Sequence, residues 1–334
     1  MDLFSSIPDQ LKKRIKKVPF PAWIDPMLAT LSDKRFDDPG WVAEEKYDGE
    51  RCIAYKKSKT VTLFSRNKLV LNDIYPELTA YMRSQKTDEF IVDGEIVAFS
   101  KGVTSFSELQ NRIAVRNPGE ALQKEVMVYY YLFDILYVDG FDVTELNLLQ
   151  RHELLEKALT YKDPVRLTKQ IKGKAAEYYG EACKKGWEGV IAKRIDSTYQ
   201  SRRSGDWLKF KCISQQELVI GGYTEPGGSR QGFGAILVGY YDGKDLAYAG
   251  KVGTGFDEAI LKELGAKMEA LEQDENPFTS AETIRGRIHY IKPVLVAEVA
   301  FSEWTADGKL RHPRYLGLRT DKAARTVLRE TPKR

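Results

Sequence analysis

Short apolar runs recur from Trp41 to about Lys211, separated by polar turns. "EFIVDGEIVAF", "VMVYYYLFDILYVDG" and "WEGVIAKRI" are rich in Val, Ile, Tyr and Phe and read as strands. "ELLEKALTY" and "AAEYYGEACKKG" space their apolar residues as helices do. Strands dominate and show no regular βαβ alternation, which predicts an α+β domain built on antiparallel sheets. Residues 1–40 read as irregular, with one short basic helix. After Cys212 the texture changes. "ELVIGGYTEPGGSRQGFGAILVGYYDGKDLAYAGKVGTGF" reads as short strands joined by Gly-rich turns. A helix follows at about Asp257 to Glu272, then the long β run "VLVAEVAFSEWTADGKLRHPRYLGL". About five strands and a helix suit a small barrel of the oligonucleotide-binding type. The expected organisation is a basic N-terminal segment (1–20), a first domain (21–213) and a second domain (214–334). The glycines of "GGSRQGFG" do not lead into a helix, so they read as hairpin turns and not as a dinucleotide loop.

The stretch "EEKYDGERCIAY", Glu44 to Tyr55, places Lys46 between the apolar approach Trp41-Val42-Ala43 and an Asp-Gly pair. Strand, tight turn, strand is the local reading, since Asp-Gly is a strong hairpin signal. On that pattern alone, Lys46 is an ordinary solvated lysine on a surface hairpin.

Composition narrows the class without settling it. A chain of 334 residues suits two domains. Its apolar and charged fractions, 42% and 30%, are those of a globular protein. No apolar run approaches the roughly 20 residues of a membrane helix, and the N-terminus lacks a secretory pattern. Cys52, Cys183 and Cys212 are far apart and form no CxxC pair. That spacing argues against a zinc site or disulfide framework and fits a reducing compartment. The net charge is +4, but Lys309 to Arg334 holds nine Lys/Arg against two Asp/Glu. "LKKRIKK" at Leu11–Lys17 is a second basic cluster. Local basic patches on a near-neutral chain suit a polyanion such as nucleic acid or nucleotide phosphates. Solvated helix faces give such runs too.

Four further stretches change the reading of Lys46. They are Ser65-Arg66-Asn67, Asp93-Gly94-Glu95 closing an apolar strand, "EGVIAK" from Glu188 to Lys193, and "WLKFK" from Trp207 to Lys211. In this order, after Lys46-x-Asp48-Gly49-x-Arg51, they resemble the motifs shared by ATP-dependent DNA ligases, RNA ligases and mRNA capping enzymes. "RHPRYLGLRTDK" is similar to the last motif of that superfamily, here Arg319, Asp321 and Lys322. "PMLAT" at Pro26–Thr30 and "EWTADGKLRHPR" at Glu303–Arg314 resemble the small bacterial ATP-dependent DNA ligases, including the ligase module of the Ku-associated end-joining system.

The resemblance implies a nucleotidyltransferase (ATP-grasp-like ligase) domain followed by an OB-fold β-barrel. It also implies a nucleophilic lysine that attacks the α-phosphorus of ATP and becomes a lysyl-AMP. A lysine titrating near 10.4 must be made neutral for this. Nearby positive charge helps, and Lys209, Lys211 and a divalent metal are suitable. Glu95 and Glu188 are hard oxygen ligands for Mg²⁺ or Mn²⁺. Arg51 and Arg66 suit phosphate and ribose contacts. By resemblance Phe133 stacks on the purine and Glu44 reads the adenine amine. Glu95 also belongs to the nucleotide pocket, and Arg319 and Lys322 face phosphate. The alternative for Phe133 is plain core packing, and for Arg51 a structural ion pair.

The expected function is DNA nick sealing in repair, with roles in recombination and replication. The expected partners are nicked duplex DNA and a Ku-type protein, for a cytoplasmic, nucleoid-associated monomer. The competing readings are an RNA ligase, a GTP-dependent capping enzyme, and an inactive nucleic-acid-binding relative. The three cysteines cannot supply the zinc site of an NAD-dependent ligase.

Overall fold

The computed structural model describes residues 3–5, 7–113, 126–227, 232–279 and 287–331. It contains two compact units, one running up to Cys212 and the other spanning Ile213–Thr331.

The first unit is built on two sheets. In the larger, β1 (Lys16–Lys17), β9 (Phe141–Asp142), β8 (Val128–Val138), β6 (Glu89–Ser100), β4 (Glu50–Lys57) and β5 (Thr60–Ser65) lie in that order. β7 (Val103–Thr104) pairs with β6, and β10 (Val165–Leu167) pairs with β8 in parallel. Helices Pro76–Ser84, Phe106–Ile113 and Leu148–Ala158 contribute to the core against one face. The other face meets the second sheet through Met27, Ile53, Tyr55, Phe133 and Trp207. Burial on both faces is why β6 and β8 read as nearly continuous apolar runs.

The second sheet has the order β11 (Ile171–Lys172), β3 (Trp41–Lys46), β12 (Gly189–Arg194), β13 (Arg203–Lys211) and β2 (Leu28–Leu31). β13 and β2 pair in parallel, as β10 and β8 do, within sheets that are otherwise antiparallel. The helix Ala175–Lys184 packs on the far face with Ala43, Val190, Ala192 and Phe210.

The second unit carries β16 (Asp245–Val252), β15 (Ile236–Asp242), β14 (Ser214–Thr224), β18 (Ile288–Phe301) and β17 (Glu272–Gln273) in that order. β21 (Arg314–Leu318) pairs with β18, and β19 (Glu303–Trp304) with β20 (Leu310–Arg311). One helix, Glu258–Glu269, starts at Asp257, whose side chain accepts from the backbone N–H of Ile260. The strand content is that of the expected oligonucleotide-binding fold. Among the described residues, however, the ladder from β16 to β17 does not close into a barrel.

Several local expectations are corrected. β3 and β4 are not a hairpin, because they belong to different sheets. Asp48-Gly49 carries the chain from one sheet to the other. A Cβ at Gly49 would lie 2.2 Å from Ile96 O, so the crossing requires glycine. Asp48 Oδ2 accepts from the N–H of Phe106, the first residue of a helix, and its N–H donates to Thr104 Oγ1. Asp93-Gly94-Glu95 lies mid-strand in β6, not at a strand end. Gly94 packs where a Cβ would meet Tyr131 O at 2.4 Å.

"LKKRIKK" is only partly helical: the helix ends at Lys12, and Lys16–Lys17 pair with Asp142 and Phe141. The C-terminal "DKAARTVLRE" forms a single 3-10 turn, Ala324–Thr326. Residues 228–231 of "GGSRQGFG" lie outside the described residues, as do 332–334 of the basic C-terminus. The cysteines are not three unpaired thiols. Cys183 and Cys212 form a disulfide, leaving the buried Cys52 reduced. Their separation of 29 residues hid the pair. The last turn of the Ala175–Lys184 helix and the end of β13 meet only when the second sheet forms.

Candidate active site

Strand register assembles the reactive face. Across β3 and β12, Lys46 stands opposite Gly189 and Glu44 opposite Ile191. Across β12 and β13, Gly189 stands opposite Lys211, Ile191 opposite Lys209 and Lys193 opposite Trp207. Opposed residues share a face, and alternate residues along a strand share it too. Glu44, Lys46, Ile191, Lys193, Trp207, Lys209 and Lys211 therefore line one face. That face is opposite the helix Ala175–Lys184, which packs on Ala43, Val190 and Phe210.

Lys46 Nζ donates to Glu188 Oε2, and the pair is largely buried. Glu188, an expected metal ligand, thus also reaches the amine of the candidate nucleophile. It precedes Gly189, where a Cβ would lie 2.0 Å from Phe210 O, so the chain can turn Glu188 onto Lys46 only at a glycine.

Glu44 is buried against Lys193, Nζ to Oε2 2.6 Å, and accepts from Gln170 Nε2 at 2.8 Å. Lys193 Nζ also lies 4.3 Å from the Phe133 ring centroid and 4.2 Å from that of Trp207. Lys193 was not singled out from the sequence. Its place in "EGVIAK", two residues past the β-branched Ile191, was the available signal. Trp207 Nε1 is buried without an acceptor among the described residues, a polar atom facing the same cluster.

The larger sheet contributes a second row. Arg51 stands opposite Glu95, Glu95 opposite Tyr131, and Tyr131 opposite Arg166. The Arg51 guanidinium binds Asp93 through two nitrogens, both at 2.5 Å, and sits 4.7 Å from the Phe133 ring centroid. Asp93, wholly buried, also accepts from Tyr199 Oη at 2.6 Å. The Asp93 charge keeps the Arg51 guanidinium protonated against the cost of burial. Much of Arg51's fork is thus committed inside the protein, leaving less of it for phosphate. Phe133 presents its ring to two cations and to the edge of Trp207. Arg66 lies just past the end of β5, half-buried.

In the second unit, Arg319 forks onto Asp321, Nε–Oδ1 and Nη2–Oδ2 both 2.9 Å. Its Nη1 is 3.5 Å from Glu298. Lys322 pairs with Glu217 at 2.9 Å. Glu217 and Glu298 are direct partners across β14 and β18, so two acids meet two bases on one face. The Arg319 and Lys322 side chains are only 10% and 12% exposed.

A cavity of about 510 Å³ is lined by Glu45, Tyr47, Tyr131, Lys169, Lys185 and Trp187, among others. Glu45 alternates with Glu44 and Lys46 along β3. Burial pushes its carboxyl up from 4.5 to about 7, against the pull of Lys185. Between those values the folded chain keeps a proton that the unfolded chain has released. Stability therefore falls as pH rises through that window. Glu45→Gln is expected to flatten the fall, read as urea midpoints between pH 5 and 7.5. A slope equal to that of the unsubstituted protein would refute the assignment.

Comparison with known proteins finds relatives along most of the chain. Residues 26–211 match the model of the ATP dependent DNA ligase domain, and 229–322 match the ATP dependent DNA ligase C terminal region. The multifunctional non-homologous end joining protein LigD of Pseudomonas aeruginosa is 36% identical over 324 residues, 95% of this chain but 38% of that protein. A DNA ligase of Sulfolobus acidocaldarius is 34% identical over 344 residues, 90% of this chain and 56% of that one. The solved structure described as mycobacterial DNA ligase D complexed with ATP and MES superposes with a TM-score of 0.65 at 35% identity. That match covers 92% of this chain and 98% of the solved one. The chain thus spans well under half the length of the LigD protein it matches.

Proposed function

Because this chain belongs to the ATP-dependent DNA ligase family, we propose that it seals nicks in duplex DNA through a covalent AMP on Lys46. The observation that carries the reading is the Lys46–Glu188 pair, set on the sheet face that also bears Glu44, Lys209 and Lys211. In the first step the Lys46 amine forms an N–P bond to the α-phosphorus of ATP. The bond from that phosphorus to pyrophosphate breaks. Glu188 already accepts a hydrogen bond from the amine, so its carboxylate is the acceptor in reach for the proton the lysine must shed. Lys209 and Lys211 oppose the charge on the phosphoryl oxygens. AMP then passes to the 5′-phosphate of the nick, and the 3′-hydroxyl displaces it.

Phe133 offers the ring for the purine, and a stacked base would displace the Lys193 amine from that ring. Glu44 receives the adenine amine. Arg51 and Arg66 border the ribose and phosphates. In the second unit Arg319 and Lys322 reach pyrophosphate only by exchanging carboxylate partners.

No group of three or more metal-binding side chains occurs among the described residues, so a closed protein cage for a cation does not fit. Glu95 on the larger sheet and Glu188, just before β12 of the second, would each be able to offer a carboxylate to a Mg²⁺ or Mn²⁺ ion that leaves its other positions to water and phosphate. Such an ion, when bound, supplies further positive charge at the transferring phosphoryl. The likeness to a protein named for non-homologous end joining supports a repair role in end joining, and a Ku-type partner belongs to the same proposal. Recombination and replication, a cytoplasmic, nucleoid-associated location and a monomeric state belong to the same proposal. Among the described residues no helix is long and apolar enough to cross a membrane.

The test is incubation with α-labelled ATP and Mg²⁺, followed by nicked DNA or nicked RNA. Acid-labile label that leaves as DNA is sealed supports the reading. Release only by RNA would make the enzyme an RNA ligase, and label from GTP in preference to ATP would make it a capping enzyme.

The N-terminal cluster gives a second test. Lys13, Arg14, Lys16 and Lys17 are exposed. If they meet DNA phosphates, replacing all four with alanine should weaken nick binding. It should also reduce the slope of log K against log salt by up to about 3.6. An unchanged slope would leave them a solvated face. Deleting the segment would be a poorer test, because Ile7 packs in the core and Lys16–Lys17 complete a sheet edge.

A further inference from the structure

Cys183 and Cys212 tie together the two chain segments that deliver the reactive side chains. Cys183 lies in the last turn of the helix Ala175–Lys184, five positions before Glu188. Cys212 follows Lys211 at the end of β13. The loop they close contains all of β12 and β13, and with them Glu188, Lys193, Trp207, Lys209 and Lys211. The Cys212 N–H donates to the backbone carbonyl of Glu188 at 2.9 Å, so the bridged strand end is tied through the main chain to the residue whose carboxylate holds Lys46. The tight turn between helix and strand is held by the Gly186 N–H on Cys183 O and the Trp187 N–H on Ala182 O. Tyr179 Oη donates to Lys211 O at 3.3 Å from the same helix. Both cysteines are partly exposed, within reach of a small thiol, whereas Cys52 is fully buried.

We propose that Cys183 and Cys212 form a reversible thiol–disulfide site that controls self-adenylation by positioning Glu188 and the Lys209–Lys211 strand end. The inference rests on Lys46 being the nucleophile. The oxidised pair clamps the base of the β12–β13 hairpin. Reduction breaks the S–S bond through a mixed disulfide with a low-molecular-weight thiol. Two electrons and two protons pass to the cysteines, and two small thiols leave as one disulfide. The helix end and the strand end then lose their covalent tie, and non-covalent contacts such as the Tyr179–Lys211 hydrogen bond and the packing on Phe210 remain. Glu188 loses its fixed distance from Lys46, a kind of misplacement to which reaction rates are steeply sensitive.

The experiment uses the full chain, oxidised with glutathione disulfide or reduced with glutathione, at a temperature well below the melting point of the reduced form. Three quantities are read: free thiols by alkylation and mass, the rate of AMP-adduct formation from labelled ATP, and hydrogen exchange of the Gly186, Trp187 and Cys212 amides. The expected result is one free thiol in the oxidised form and three in the reduced. Adduct formation should be about tenfold slower when reduced, with faster exchange at those three amides and recovery on reoxidation. The Cys183→Ser, Cys212→Ser double variant should match the reduced rate and ignore thiols. Three free thiols under oxidant, or equal adduct rates in the two states, would overturn the proposal. If neither state takes label, the Lys46 reading is what fails, and exchange decides alone: faster exchange on reduction upholds the clamp and equal exchange removes it.

Discussion

Lys46→Ala is expected to abolish the covalent AMP adduct, with folding unaffected. The side chain is partly exposed, and the interaction it loses is the one with Glu188. Lys209 and Lys211 lie two strands away, and Lys185 acts on Glu45, the neighbouring position of β3. Glu188→Gln separates the roles within the pair. It keeps the shape and removes the charge and the proton acceptor, so adduct formation should slow by about 10² to 10⁴-fold without disappearing. Single-turnover labelling with ATP measures both variants. A labelled Lys46→Ala protein would require another nucleophile and end the assignment. A Glu188→Gln protein as fast as the unsubstituted one would make Glu188 a purely structural partner.

Arg151→Ala is expected to cost about 3 to 5 kcal/mol of stability. Arg151 and Asp134 are wholly buried and joined by Nε–Oδ1 at 2.7 Å and Nη2–Oδ2 at 3.0 Å. Arg151 Nη1 also donates to the carbonyls of Leu146 and Ser197. Alanine leaves an uncompensated carboxylate in the core beside Phe133, with two orphaned carbonyls. For a unit of this size the loss corresponds to a melting point lower by about 10 °C. The double change Arg151→Met with Asp134→Leu removes both charges and should recover much of the loss, since a buried pair is often no better than apolar residues of similar volume. Calorimetry on the three variants tests the idea. A loss below about 1 kcal/mol for Arg151→Ala would mean that water or a neighbour reaches Asp134. ATP-adduct formation in the double variant, measured below its melting point, would show whether the pair also positions Phe133.

Much of the site was legible before any coordinates. The proposed site rests on lysine, arginine, glutamate and paired-lysine stretches in the order 46, 51, 66, 95, 188, 209–211, charges that phosphoryl transfer would need, and charge types survive in a linear string. The α+β character and the change of texture at Cys212 were legible for a similar reason. Apolar periodicity records which faces are buried, whatever the topology that buries them.

What remained hidden depends on pairing between distant segments. Asp48-Gly49 has the composition of a hairpin turn, yet its two strands enter different sheets. Turn propensity is local, and the close approach to Ile96 O that demands Gly49 is not. The partner of Glu188 is Lys46, 142 positions away, and the partner of Arg51 is Asp93. No spacing rule announces such ion pairs. Lys193 became a site residue only because β12 lies between β3 and β13, so that register puts it in reach of Glu44 and Phe133. The cysteines separate the two levels most clearly. Their number and spacing argued for unpaired thiols, and only the packing of a helix end against a strand end brought Cys183 and Cys212 to bonding distance. Sequence alone determined the chemical inventory and the burial pattern of this chain. Tertiary structure decided which charges neutralise one another, because an ion pair or a disulfide depends on distance in space, and that distance is set by strand register.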